Sequence, residues 1–398
     1  MQRIYIGCSY IENETAANQI QTKKTFLALQ KIDPQIKGIF LGNRRSWGAK
    51  IRTHGNSFFI DIRTWYAFIL HRFEKITKIS FFRKVWLGRS FARAAGKILK
   101  TNPDSVVYVR QGSIGEFITY LENLDRFKIN RLIFELHDLE FAIPGFFNYD
   151  FEFKRCEQLF KKFFSLILKY ADRVKLVTLT KTLAEIIQDK YKFNEPIAVI
   201  PDSHDFYEVS RKTVDFTKKR IELIYTGLNL GPNKGVDYLI RSLEFLEDTF
   251  YLTLIGGSTN DRDRLRKEYK NFIDQKRLHI VSSQPHEQIQ KLLAQADIAI
   301  VPLPKGGFSD FTSPLKLFEY MSVGLPIIAS DIPALREIVT NNKNALLFEA
   351  GNSRDLAEKI RYLGEHPEIA YTISRQAQED SKRYSYEKRA KKILNLLD

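Results

Sequence analysis

The sequence predicts an α/β chain made of two doubly wound halves, and three observations carry that expectation. Short β-branched runs alternate with amphipathic stretches along the whole chain, the rhythm of parallel strands connected by helices. A length of 398 residues exceeds what one hydrophobic core usually supports, so two domains of about 200 residues fit it better than one. A polar stretch from Pro201-Asp202-Ser203-His204-Asp205 to about Arg220 separates the halves and reads as a linker.

In the first half, strands are expected at Arg3-Cys8, Lys37-Leu41, Phe58-Ile62, Ser105-Val109, Arg131-Leu136, Val174-Leu179 and Ile197-Ile200. Helices are expected at Ala16-Leu29, Lys84-Leu99, Glu152-Tyr170 and Thr182-Tyr191. The second half repeats the pattern, with strands at Ile221-Tyr225, Tyr251-Ile255, Leu278-Val281, Ile298-Pro302, Pro326-Ala329 and Ala345-Phe348. Helices follow from Val236, Arg262, Glu287, Leu315, Ala334 and Asp355, and the stretch from Pro367 to Asp398 is helical and highly charged. The division is expected at 1–205 and 206–375, with 376–398 as a separate helical ending.

No apolar run approaches the roughly 20 residues a membrane-crossing helix needs, and the opening Met1-Gln2-Arg3-Ile4-Tyr5-Ile6 enters a strand-like run instead of a secretion signal. Two cysteines, Cys8 and Cys156, exclude a disulfide framework and a four-cysteine zinc site, so a reducing cytoplasm is the expected setting. Charge is uneven. Residues 21 to 100 hold 18 Lys and Arg against three acids (Asp33, Asp61, Glu74), which equals the whole chain's excess of +15. Aromatics interleave with these cations, as in Trp65-Tyr66-Ala67-Phe68 and Phe81-Phe82-Arg83-Lys84-Val85-Trp86. Such a surface suits an anionic membrane. A solvated helical face over buried aromatics explains it equally well. Nucleic acid is disfavoured, because no recognised nucleic-acid motif accompanies the charge.

Ile224-Tyr225-Thr226-Gly227-Leu228-Asn229-Leu230-Gly231-Pro232-Asn233-Lys234-Gly235 runs from a strand through a glycine-bearing loop into a helix. Glycines there let backbone amides approach a phosphate, and Lys234 adds a cation, with Gly227 and Asn233 beside it. The spacing matches neither the P-loop nor the dinucleotide fingerprint, so a plain turn with a surface lysine is the alternative. Downstream, Phe311-Thr312-Ser313-Pro314-Leu315-Lys316-Leu317-Phe318-Glu319 opens a helix at the C-terminal end of the 298–302 strand, where doubly wound sheets bind ligands. Amides at Ser313 and Leu315, the hydroxyls of Thr312 and Ser313, and Lys316 would hold a diphosphate. Glu319, three residues beyond Lys316 on the same helix face, would accept hydrogen bonds from ribose hydroxyls or else pair with Lys316.

These motifs together resemble the retaining glycosyltransferases of family 4 and their GT-B relatives. The likeness covers most of the chain. It rests on the Tyr225 to Gly235 loop, Leu254-Ile255-Gly256-Gly257, Ala296-Asp297-Ile298-Ala299-Ile300-Val301-Pro302, the Ser313 to Ser330 block, Ile332-Pro333-Ala334-Leu335-Arg336-Glu337-Ile338-Val339, and the ending Tyr384-Ser385-Tyr386-Glu387-Lys388-Arg389-Ala390. The resemblance implies a GT-B fold of two Rossmann-like domains facing across a cleft, with a final helix crossing back onto the N-terminal domain.

It also implies transfer of a hexose from a nucleoside diphosphate sugar, UDP-sugar before GDP-sugar, to a hydroxyl acceptor in surface polysaccharide or lipid-linked glycan synthesis. Donor contacts would come from Gly227, Asn233, Lys234, Thr312, Ser313, Pro314, Leu315, Lys316 and Glu319. His137, which ends the apolar strand Leu132-Ile133-Phe134-Glu135-Leu136, matches the family histidine close to the transferred sugar. With Lys234 and Glu319 it makes the expected catalytic set. Neither metal nor cofactor is implied, and Asp261-Arg262-Asp263 is read as solvated charge on a surface helix.

Tyr10, in the polar loop after the first strand, and Arg44 and Arg45, after the second, are the candidate acceptor contacts. The expected location is the cytoplasm, peripheral on the inner face of the cell membrane. Two departures stand out. Phe311 occupies the place of the first glutamate of the family's Glu-x7-Glu motif, with Asp310 adjacent, and Gly227-Leu228-Asn229 replaces Gly-Arg-Leu. They leave open a non-catalytic GT-B partner or scaffold protein, and fold alone also admits a nucleotide-sugar epimerase.

Overall fold

The structure is a computed structural model that describes residues 2–11, 17–42, 48–63, 81–110, 112–137, 150–205 and 220–398. The chain forms two compact units, Met1–Pro201 with Tyr386–Asp398, and Asp202–Ser385. The first boundary lies at 201, not 205, because the residues that follow are bonded into the second unit. The Asp202 N–H donates to Ser313 Oγ at 3.3 Å, and His204 Nε2 meets the Ser381 carbonyl at 3.1 Å. The ending also divides later than 376. Helix Pro367–Ser381 buries Ala370, Ile373 and Ala377 in the second unit, and only helix Tyr386–Leu397 belongs to the first.

The first unit is one eight-stranded sheet. Its strands are β1 (Arg3–Tyr10), β2 (Lys37–Gly42), β3 (Gly48–His54), β4 (Ser57–Arg63), β5 (Ser105–Arg110), β6 (Ile129–Leu136), β7 (Val174–Thr178) and β8 (Ile197–Val199). They lie in the order β3-β4-β2-β1-β5-β6-β7-β8, and every pairing is parallel except β3 with β4. β3 was not expected. It pairs back through a two-residue Gly55-Asn56 turn, where Gly55 takes φ +54°, a hairpin signal too short to show against the flanking polar sequence. The expected Lys84–Leu99 helix runs from Phe81 to Lys100, and an unexpected one, Ile114–Glu122, is capped by Ser113 accepting the Glu116 N–H. Stacked Tyr5 and Tyr108, ring centroids 5.9 Å apart, sit in a core with Phe26, Phe40 and Phe59 that Ala390, Ile393, Leu394 and Leu397 of the final helix complete.

The second unit has six parallel strands: β9 (Ile221–Gly227), β10 (Phe250–Gly256), β11 (Leu278–Val281), β12 (Ile298–Val301), β13 (Ile327–Ser330) and β14 (Leu346–Phe348). Their order, β11-β10-β9-β12-β13-β14, is the 3-2-1-4-5-6 arrangement of a Rossmann sheet, with its switch point between β9 and β12. Both faces are covered. Leu223, Tyr225, Ile298 and Ile300 enter one core, while Ile224, Ala299 and Val301 enter the other, which is why these strands read as continuous apolar runs. At the end of β9 the Thr226 N–H donates to the buried Tyr320 hydroxyl at 2.8 Å. Tyr320→Phe leaves that buried amide without its acceptor, so urea unfolding should show a loss of about 1–3 kcal/mol. A change below about 0.5 kcal/mol would mean that the bond contributes nothing.

Candidate functional site at the second switch point

The loops after β9 and β12 meet where the strand order reverses. Gly235 has φ +70°, and a Cβ there would run into the Pro302 carbonyl at the end of β12, so only glycine permits this approach. Tyr238 donates to the same carbonyl and fixes the helix that starts at Val236. Gly256, at φ +115°, would likewise strike the Gly227 carbonyl, which accepts the Gly257 N–H at 3.0 Å. The glycines of both motifs therefore serve close backbone packing around the site.

Two lysines line it. Lys234 closes a short 3-10 turn, Pro232–Lys234, and its Nζ lies 5.7 Å from the Phe308 ring centroid. Lys316, in the first turn of helix Leu315–Val323, places Nζ 3.8 Å from the Tyr225 ring centroid. Burial, and then the like charge of Lys234, push the Lys316 ammonium down to about 7, with Glu319 opposing in part. The helix follows its N-cap Pro314, and no side chain caps it, which leaves the positive end of its dipole beside Lys316 in the first turn. Two cations and an uncapped helix N-terminus, held in a partly desolvated place, form a receptor for a multiply charged anion.

The other predicted donor contacts divide. Gly227, Pro314 and Leu315 bound the site through backbone, and Glu319 is half-buried one turn into the helix. Thr312 spends its hydroxyl proton on the Phe308 carbonyl at 2.6 Å, and Ser313 Oγ accepts from Asp202, so these two hydroxyls first hold the loop together. Asn233 and Leu228 are exposed. Phe311 is buried, edge-on to Phe308 at 5.5 Å, and Asp310 accepts the Gly306 N–H at 3.0 Å, bracing a loop in which Gly306 and Gly307 take positive φ. Asp261 completes a capping box with Ser258, and Asp263 pairs with Arg266 at 3.3 Å.

In the first unit, His137 follows β6 directly. Its Nε2 lies 2.6 Å from Glu135 Oε1. Glu135 is fully buried, between Arg110 at 3.2 Å and Arg389 at 2.5 Å, and it also accepts from Tyr108. Burial alone would raise this carboxyl, but Arg389, the hydrogen bond with His137, and Arg110 outweigh it and hold the group well below the usual carboxylate range. The sequence reading passed over Glu135, Arg110 and Arg389. An acid inside the apolar run Leu132–Leu136 was the available signal for the first, whereas Arg389 lies 254 residues away.

Arg44 and Arg45 lie outside the described residues, and so does the side chain of Tyr10 at the end of β1. The Trp65–Leu70 stretch lies outside them as well. Where the basic region is described, Arg93, Lys97 and Lys100 project from one exposed face of helix Phe81–Lys100, while Phe91, Ala92, Ala95, Ile98 and Leu99 are buried beneath. Among the described residues no helix is long and apolar enough to cross a membrane.

Two Rossmann-like units, the second with a cation-lined switch point, define the GT-B class of glycosyltransferase fold. Residues 207–380 match the family described as Glycosyl transferases group 1. An uncharacterized glycosyltransferase of Methanocaldococcus jannaschii is 30% identical over 39% of this chain and 42% of its own. The N,N'-diacetylbacillosaminyl-diphospho-undecaprenol alpha-1,3-N-acetylgalactosaminyltransferase of Campylobacter jejuni is 27% identical over 42% of each chain. The chain thus spans less than half the length of these relatives. Sucrose-phosphate synthase from Thermosynechococcus elongatus superimposes with a TM-score of 0.74 at 15% identity, covering 100% of this chain and 98% of that one. Anabaena Alr3699/HepE in complex with UDP superimposes with a TM-score of 0.66 at 14% identity, covering 100% and 99%.

The Lys316 shift sets a stability test. A lysine normally near 10.5 that sits at about 7 when folded binds one proton fewer than the unfolded chain between those values, so stability rises with pH across that window. Lys316→Met removes this dependence. Urea unfolding at pH 6 should find the variant more stable than the parent, with the difference shrinking by pH 10. Equal pH slopes in the two proteins would remove the case for a desolvated, cation-crowded Lys316.

Proposed function

We propose that the protein transfers a hexose from a nucleoside diphosphate sugar, UDP-linked before GDP-linked, to a hydroxyl of a lipid-linked or surface-polysaccharide acceptor, with retention at the anomeric carbon. The observation that carries this reading is the pairing of Lys234 and Lys316 at the uncapped start of helix Leu315–Val323. Breaking the bond between the anomeric carbon and the diphosphate oxygen leaves negative charge on the diphosphate. The two ammonium groups and the first helix amides stabilise that charge as it develops. The acceptor oxygen forms the new bond to the anomeric carbon, and its proton passes to the departing phosphate oxygen, so no protein base is required. Glu319 accepts from ribose hydroxyls, and His137 hydrogen-bonds the transferred sugar.

The UDP preference draws support from the UDP-bound structural neighbour, and the lipid-linked acceptor from the Campylobacter relative, whose name specifies an undecaprenol diphosphate. The exposed cations Arg93, Lys97 and Lys100 supply a surface for the anionic membrane in which such an acceptor resides. A second reading has one observation in its favour: Phe311 is part of the core where the family places a glutamate. In that reading the chain binds a nucleotide without turning a sugar over.

Incubation with UDP-, GDP- and dTDP-sugars and a lipid diphosphate acceptor separates these possibilities. Transfer that Lys234→Ala reduces by about 100-fold or more supports the proposal. Tight UDP binding without donor consumption supports the second reading, and donor conversion without acceptor marks an epimerase. Lysines supply the positive charge, so chelator should leave turnover unchanged; loss with EDTA and rescue by a divalent cation would count against this charge assignment. Flotation should recover more protein with anionic than with neutral liposomes, and equal recovery would sink the membrane-surface assignment.

A further inference from the structure

Beneath the sugar-facing histidine lies a buried charge cluster that neither the sequence motifs nor the donor site accounts for. We propose that Glu135 is a positioning residue for His137: it fixes the imidazole as the Nε2–H tautomer, so that Nδ1 is the nitrogen that accepts a hydrogen bond from a hydroxyl of the transferred sugar. The inference rests on the reading of His137 given under the proposed function, and deepens it.

The geometry fixes the carboxylate on both sides. Oε1 takes His137 Nε2 at 2.6 Å and the Arg110 guanidinium at 3.2 Å, while Oε2 takes Arg389 Nη2 at 2.5 Å and the Tyr108 hydroxyl. Three hydrogen bonds, one on Oε1 and two on Oε2, with the Arg110 ion pair beside Oε1, leave the carboxylate no rotation that keeps them all. Arg389 is anchored in its turn, donating from Nη1 to the Ile200 carbonyl at 2.8 Å and to the Pro201 carbonyl. Tyr108, Glu135, Arg110 and Arg389 are all buried, and the His137 side chain is 10% exposed. A buried carboxylate with two buried guanidinium partners stays ionised, and an ionised carboxylate only accepts, so the proton on the shared bond belongs to His137 Nε2. In the neutral ring the lone pair is then on Nδ1. An ion cluster that served folding alone would not need the histidine, since the two arginines already compensate the single acid.

Selective 15N-histidine labelling reads the tautomer directly, with the His137 signals assigned by their loss in His137→Asn. At pH 8, above the ordinary histidine range, the parent should show the Nε2–H form. In Glu135→Gln, Arg389 and Tyr108 keep the amide oxygen in the Oε2 place, the amide NH2 takes the Oε1 place facing the ring, and the tautomer should switch to Nδ1–H. kcat should fall about 10- to 100-fold, as when a group orienting a histidine is replaced, while the donor KM stays within about twofold. An Nδ1–H tautomer in the parent overturns the proposal whether or not the variant folds. So does a folded Glu135→Gln protein that keeps Nε2–H and its kcat. If the tautomer switches while neither Glu135→Gln nor His137→Asn changes kcat, the contact stands and the sugar-facing reading of His137 fails.

Discussion

Two lysines crowded at one sheet edge, with a helix N-terminus opening beside them, set the requirement that the rest of the second unit meets. Bringing Lys316 against Tyr225 and within range of Lys234 costs free energy unless an anion arrives. The surrounding construction makes that placement rigid. Gly235 allows the β9 loop to touch the Pro302 carbonyl, Tyr238 holds that carbonyl from the other side, and Tyr320 ties the end of β9 to the helix that carries Lys316. Each contact joins the loop after β9 to the elements after β12, which is what a switch point requires if a ligand is to be held from both.

The first unit solves the opposite problem. Glu135 is an anion buried at the C-terminal end of β6, and it persists as an anion because two arginines, a tyrosine and a histidine surround it. One of those arginines comes from helix Tyr386–Leu397, whose apolar face closes the core built on Tyr5 and Tyr108. That helix thus completes both the packing and the charge balance of the first unit.

Particular residues show where local reading succeeds. Strands of the second unit were legible because both faces are buried, leaving continuous β-branched runs, and Gly-bearing loops after β9 and β10 marked their C-terminal ends. The Gly48–His54 strand was not, since its partner is set by a two-residue turn and its own residues are polar. Thr312 and Ser313 are phosphate ligands by type; the Thr312 hydroxyl donates to the Phe308 carbonyl, whereas Ser313 Oγ accepts from the Asp202 N–H and keeps its own proton to donate. Residue type records what a side chain is able to bond, and the choice between ligand and neighbour is made by distance.

By itself the sequence determined the two doubly wound halves, the loops that carry Lys234 and Lys316, and the strand end that carries His137, because periodicity and glycine placement are local properties. Only the tertiary structure decided the 3-2-1-4-5-6 strand order, the mutual repulsion of the two lysines and the four-partner hold on Glu135. Those depend on groups up to 254 residues apart meeting in a low-dielectric interior, where a charge's energy is set by its neighbours in space and not along the chain.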